Sequence, residues 1–116
     1  MNTTITLTKH NYAALKRFLF KGTAEQAAFL FCDCLETSGA LNLAMREAYY
    51  IPPSEFTIQS AYHIELCDSV RPAIIKRAWD ARRAIAEIHS HRGKGWHAQF
   101  SPSDLSGFRE FVPHIR

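Results

Sequence analysis

The sequence has 116 residues and is 47% apolar, which is enough for one packed core and indicates a single small domain over residues 1–116. Its fourteen basic and eleven acidic residues give a formal charge of +3, and they are spread along the chain without a basic run, so we expect no nucleic-acid partner. There is no leader-like start and no long apolar span, and the three cysteines are an odd number, so we expect a reduced, cytoplasmic protein without a membrane partner.

The first two elements have clear patterns. "TTITLT" alternates β-branched and apolar residues, which predicts a short strand. From His10 to Phe20 apolar residues, beginning with Tyr12, recur at helical spacing, and Gly22 follows as a stop signal, which predicts a helix.

The next segment, "TAEQAAFLFCDCLETSG", has two interpretations. Thr23 and Gln26 form a capping box before helix-favouring alanines, whereas "AFLFC" equally suits a buried strand. Cys32 and Cys34 fit buried small hydrophobes better than a zinc pair, because a C-x-C without a second pair is poor zinc spacing.

The rest of the chain alternates strands and helices. "ALNLAMREAYYI" predicts a strand that ends before Pro52, and "FTIQSAYHIEL" alternates in parts like a strand. Asp68 or Ser69 can cap a helix that runs to about Arg83, and "AIAEIHSH" predicts a strand running into a loop. This order favours an α/β (α+β) sandwich in which helices pack on a mixed sheet.

Two histidines at the end of this last strand are the first candidate site. His89 and His91 are two residues apart, so on a strand both imidazoles face one side and can share a metal ion. Asp104 can supply a third ligand, which is the number that catalytic zinc usually takes from protein. In the other interpretation, Ser101 and Asp104 cap a helix over Leu105 to Val112; the two are geometrically compatible.

"HSH", followed after nine residues by "SPSD" and preceded by a glutamate, resembles the JAMM motif of the JAB/MPN zinc metalloprotease domain, E…H-S/T-H…S-x-x-D. "AEQAAFLF", "REAYYIPP" and the helix before "AEIHSH" are placed as in prokaryotic members, so the resemblance covers most of the chain. It implies a JAB/MPN-like (cytidine-deaminase-like) sandwich and one Zn²⁺.

The resemblance also implies residue roles. His89, His91 and Asp104 would be the zinc ligands and Ser101 a transition-state stabiliser. The motif's glutamate, the general base, best matches Glu25, which requires the ambiguous segment to be a strand.

Two other carboxylates compete for the role of base. Glu87 shares the strand face of the two histidines by alternation, and its alternative role is to orient a histidine. Glu47 is most simply a solvated charge beside Arg46.

The family's activity implies hydrolysis of the amide bond after the C-terminal tail of a ubiquitin-like or sulfur-carrier protein, with an E1-like activating enzyme as a possible associate. We expect the tail to add to an exposed strand edge at "FTIQS" or around Trp96. The alternatives are a non-catalytic MPN-type scaffold, a hydrolase that releases a small amine such as cysteine from a sulfur carrier, and a metal-dependent nuclease suggested by the basic face of the second helix.

The sequence departs from the family in three places. Arg92 replaces the usual proline after "HSH", the segment 92–100 is a longer loop that contains Trp96 and His97, and no strand follows the last helix. His97 fits a solvated loop residue better than a fourth ligand. We therefore expect a C-terminally truncated domain or one that a partner completes.

Overall fold

The computed structural model describes residues 2–93 and 95–99, with the side chains of residues 3–90. The elements in chain order are β1 (Asn2–Thr6), α1 (Lys9–Leu19), β2 (Ala27–Thr37), β3 (Ala40–Tyr50), a 3-10 turn (Pro53–Glu55), β4 (Phe56–Gln59), β5 (Ile64–Leu66), α2 (Val70–Ala81), β6 (Ala84–Gly93) and β7 (Gly95–Gln99).

A mixed five-stranded sheet organises the described part of the chain. Its strand order is β1-β3-β2-β6-β7; β1 runs parallel to β3, and the other neighbours are antiparallel. A separate two-stranded sheet consists of β4 and β5. The predicted α/β class with helices and a mixed sheet is confirmed at this level.

Helix α1 forms as the sequence predicts. The Thr8 side chain accepts a hydrogen bond from the Asn11 N–H at 3.1 Å and so caps the first turn. Leu15 and Leu19 are buried against the sheet. Tyr12, which the pattern placed on the apolar stripe, is instead 59% exposed.

Strand β2 resolves the ambiguous segment, and the helical interpretation is wrong. Its inner half is buried on both faces from Ala27 to Cys32, and Ala28 to Cys32 pair with both β3 and β6. A strand buried on two sides has no polar alternation, so its sequence resembles that of a buried helix. Long-range pairing therefore overrides the capping box and the alanines.

The two faces of β2 separate two core layers. Ala28 and Leu30 pack with α1 on one face, and Phe29 and Phe31 pack with α2 on the other. The outer half of β2 pairs with β3 only, and the two strands join at a tight turn where Gly39 has φ +76°. A left-handed conformation of this kind costs glycine little.

Helix α2 starts and ends close to its predicted positions. Ser69 holds the N-cap position, but its side chain makes no capping hydrogen bond, so the predicted cap is not formed. The helix ends at Ala81, and Arg82 takes a left-handed conformation with φ 56° and ψ 46°. None of the helices in the described residues is both long and apolar enough to cross a membrane.

The predicted loop over residues 92–100 is wrong for residues 92–93, which lie on β6, and for residues 95–99, which lie on β7. Strand β6 continues through His91 to Gly93, and β7 returns beside it with His91 opposite His97. Trp96 and His97 therefore lie on a strand, because backbone pairing with β6 forms it where the local sequence has no strand pattern. The predicted ligand Asp104, the predicted stabiliser Ser101 and the predicted helix over 105–112 lie outside the described residues.

Candidate metal centre

The candidate site lies where β2 begins and β6 approaches its end. Ala27 is the partner of His89 in this antiparallel pair. One residue further, the Ser90 N–H donates to the Gln26 carbonyl at 3.1 Å, and the Gln26 N–H donates to the Ser90 hydroxyl at 3.0 Å. Ser90 is fully buried. Its hydroxyl accepts the Gln26 N–H just beyond Ala27 and His89, the last pair of β2 and β6 at this end.

Glu25 precedes β2 at this same end of the sheet and is only 7% exposed. Its N–H donates to the Ser60 carbonyl at 2.8 Å, and its own carbonyl accepts from the Gln59 side-chain amide at 2.9 Å. If the register that pairs Ala27 with His89 is extended two residues, Glu25 falls level with His91. The chain thus brings the proposed base to the strand that carries the H-x-H motif.

His89 is half-buried on β6, and its Nδ1 atom is buried. The backbone of His91 lies on the same strand, and two residues of spacing put both positions on the same face.

Glu87 lies on this face as predicted, but its carboxylate is engaged. Both Oε atoms accept hydrogen bonds from the Arg71 guanidinium on α2, at 3.0 and 3.2 Å to Oε1 and 3.1 Å to Oε2. The Glu87 side chain is only 17% exposed. To take up a proton or bind a metal, Glu87 would have to give up these contacts, which favours Glu25 as the base.

Glu47 is an exposed charge, as predicted. It forms an ion pair with Arg77, whereas Arg46 pairs with Asp33. Arg77 also lies over the Phe31 ring, with 4.7 Å from its guanidinium carbon to the ring centroid. Glu47 therefore helps to hold α2 on the sheet.

The basic residues that suggested a nuclease are largely matched by acidic ones. Within the described side chains, the pairs are Arg71–Glu87, Lys76–Asp80, Arg77–Glu47 and Arg83–Asp33. Phosphate binding depends on unmatched positive charge that releases counterions. These pairs reduce the electrostatic case for a phosphate backbone on this face.

The cysteines divide into one buried and two accessible thiols. Burial raises the pKa of Cys32 to about 12, with a smaller contribution from the neighbouring Asp33 carboxylate. Cys34 is exposed, so the prediction of a buried thiol holds for Cys32 and is wrong for Cys34. Cys67 is half-buried.

Among the described side chains, no group of three or more His, Cys, Asp and Glu residues could hold a metal ion. Of the three predicted ligands, only the side chain of His89 belongs to that set. Sequence reasoning missed Ser90 as the partner of Gln26, and Gln59 and Ser60 as the partners of Glu25. Ser90 could have been noticed as the serine within "HSH". Gln59 and Ser60 have no such signal in the sequence, because their contacts with Glu25 form only in the folded chain.

No protein-family model matches the chain, and no curated protein matches it. The case for a function therefore depends on the chain's own residues.

Proposed function

We propose that the protein is a zinc-dependent peptidase or isopeptidase of the JAB/MPN type. The observation that carries the proposal is the position of Glu25, which is buried and lies at the end of β2 beside the "HSH" strand. The resemblance to the JAMM motif implies that its glutamate lies beside the strand that carries the two histidines. The JAMM spacing of His89, Ser101 and Asp104 is the second support.

The proposed donor set fits a catalytic zinc ion. His89, His91 and Asp104 would supply two imidazole nitrogens and one carboxylate, a three-ligand set that leaves one coordination position open. When bound, zinc would bring the pKa of water towards neutrality and polarise the scissile carbonyl.

The chain's own residues would move the protons. Glu25 takes a proton from the attacking water and delivers it to the leaving amine, the ordinary task of a general acid–base carboxylate. Its burial keeps the carboxylate away from bulk water. Ser101 would donate a hydrogen bond to the developing oxyanion, an effect worth about 3 kcal/mol where such donors have been removed. Glu87 stays with Arg71 and keeps α2 in place beside β6.

The proposed substrate is the C-terminal tail of a ubiquitin-like or sulfur-carrier protein in the cytoplasm, with an E1-like enzyme as a potential partner. An extended tail can add to a strand edge through backbone hydrogen bonds. The β4–β5 hairpin is next to Glu25 through Ser60, and it exposes Ile58 (43%) and Tyr62 (82%). This hairpin therefore offers both an edge and apolar contacts near the reacting bond.

The first test is the zinc content of protein purified without added metal. We expect one zinc per wild-type chain, lost in His89→Ala and in Asp104→Ala. The matched control is His10→Ala, which removes an exposed histidine on α1, across the sheet from the site. A folded wild type that stays free of zinc after incubation with the metal would refute the proposal and favour the non-catalytic scaffold.

The second test is hydrolysis of the aminomethylcoumarin amide of ubiquitin and of a bacterial sulfur carrier. Glu25→Gln should keep its zinc and lose hydrolysis, because the amide cannot accept the proton. If Glu25→Gln cleaves these probes as fast as the wild type, Glu25 is not the base.

A further inference from the structure

Two residues outside the motif contact Glu25: Gln59, the last residue of β4, and Ser60, which follows it. The Gln59 side-chain amide donates to the Glu25 carbonyl at 2.9 Å and to the Gln26 side-chain oxygen at 3.1 Å. The next residue, Ser60, accepts the Glu25 N–H at 2.8 Å. Gln59 and Ser60 thus satisfy both backbone polar groups of Glu25.

We propose that Gln59 is a positioning residue for Glu25, an inference that rests on the proposed function. Glu25 lies two residues before the first residue of β2, so no strand ladder fixes its backbone. On one side, Ser90 holds the neighbouring Gln26; on the other, Gln59 and Ser60 hold Glu25 itself. Without Gln59, the hydrogen bond to Ser60 is the one that would still tie the Glu25 backbone to the hairpin among the described contacts.

Ser60 is itself fixed within the hairpin turn. Its hydroxyl accepts the N–H groups of Tyr62 at 3.2 Å and His63 at 3.0 Å, and its N–H donates to the His63 carbonyl at 2.9 Å. The turn is therefore ordered by its own hydrogen bonds. Ser60 connects the exposed turn to buried Glu25, because its hydroxyl accepts the Tyr62 N–H and its carbonyl accepts the Glu25 N–H. Gln59 lies next to it in the chain.

A displaced base affects the chemical step more than substrate binding. A misplacement of about 1 Å of a group that must meet a reacting atom can reduce the rate about 100-fold. The Gln59 amide donates to Glu25 and Gln26, and Gln59 is not one of the proposed zinc ligands. Loss of its amide should therefore lower kcat and leave both zinc content and KM close to wild type.

The decisive variant is Gln59→Met, which keeps the length of the side chain and removes both donors. Gln59→Glu is a second variant that also removes the donors and stays polar, in case the apolar replacement folds poorly. The matched control is Arg46→Met, which removes a side-chain donor to Asp33 between β3 and the outer half of β2. All are compared with wild type for zinc content, Tm, and kcat and KM on the ubiquitin aminomethylcoumarin amide.

We expect kcat to fall 10-fold to 100-fold in Gln59→Met and Gln59→Glu, while both variants keep one zinc per chain and an unchanged KM. Arg46→Met should match wild type in all three quantities. A wild type that binds zinc and cleaves the probe, together with Gln59 variants of wild-type kcat, would overturn this inference alone. A wild type without zinc or hydrolysis would overturn the proposed function, and the inference with it.

Discussion

Replacing Ser90 with alanine should destabilise the fold more than its small change in volume suggests. The Ser90 hydroxyl is fully buried and accepts the Gln26 N–H at 3.0 Å; Gln26 is itself only 7% exposed. Without this acceptor, a buried backbone donor has no partner, which costs about 1–3 kcal/mol. For a domain of this size, that corresponds to a fall in Tm of roughly 4–12 °C.

Urea denaturation followed by circular dichroism measures this loss, with a chelator present so that zinc binding does not add to stability. Ser60→Ala is the matched control: its hydroxyl accepts the N–H groups of Tyr62 and His63, but in a partly exposed turn where water can replace it. We expect Ser60→Ala to cost less than about 1 kcal/mol, since such donors remain hydrated. Equal stability of the two variants would refute the reasoning about the buried Gln26 N–H.

Three further predictions concern the core, a thiol and a carboxylate. Phe29→Ala, at a fully buried position between the sheet and α2, should lower the free energy of unfolding by about 3–5 kcal/mol in urea titrations, because it leaves a cavity; a loss below 1 kcal/mol would contradict the packing. Burial raises the pKa of Cys32 from 9.0 to about 12, so above pH 9 the folded chain keeps a proton that the unfolded chain loses. The contribution of this thiol to the free energy of unfolding is therefore complete below pH 9 and is lost as the pH rises towards 12. Unfolding free energies from pH 8 to pH 10.5 should fall more steeply for wild type than for Cys32→Ala, and parallel curves would count against the burial of the thiol. Glu87→Gln should lower the free energy of unfolding by about 1 kcal/mol, because it weakens the ion pair with Arg71, whose side chain is 46% exposed. It should keep measurable hydrolysis, whereas Glu25→Gln should have none. The reverse ranking in the coumarin assay would make Glu87 the base.

The sequence predicts the elements whose pattern is local. α1 has a periodic apolar face and a stop signal at Gly22, and it forms over Lys9–Leu19. β2 has no such pattern, because burial on both faces removes the polar alternation that marks a strand. Here the family resemblance, which requires a strand after Glu25, indicates the right element where the alanines and the capping box indicate the wrong one.

The site shows the same division between local and distant information. His89 and His91 lie two residues apart on one strand, which puts both positions on the same face. The sequence alone predicts this. The partners of Glu25 and Gln26 do not: Gln59 on β4 binds Glu25, Ser90 on β6 binds Gln26, and only the folded chain brings them together. β7 is a third case, since its strand arises from pairing with β6 rather than from its own residues.

The tight turn between β2 and β3 offers a handle for experiments on the site. β2 has eleven residues, so the turn is about 33 Å from the strand end that carries Glu25. Space around Gly39 is open: apart from Gly39 and its two chain neighbours, no atom of the described residues lies within 4 Å of where its Cβ would be. A short affinity tag inserted beside Ser38 would meet few native contacts, and longer surface loops cost little entropy. Protein immobilised through such a tag would present the Glu25 end of the sheet to the solution, so that carrier proteins can be screened by their binding to an oriented surface.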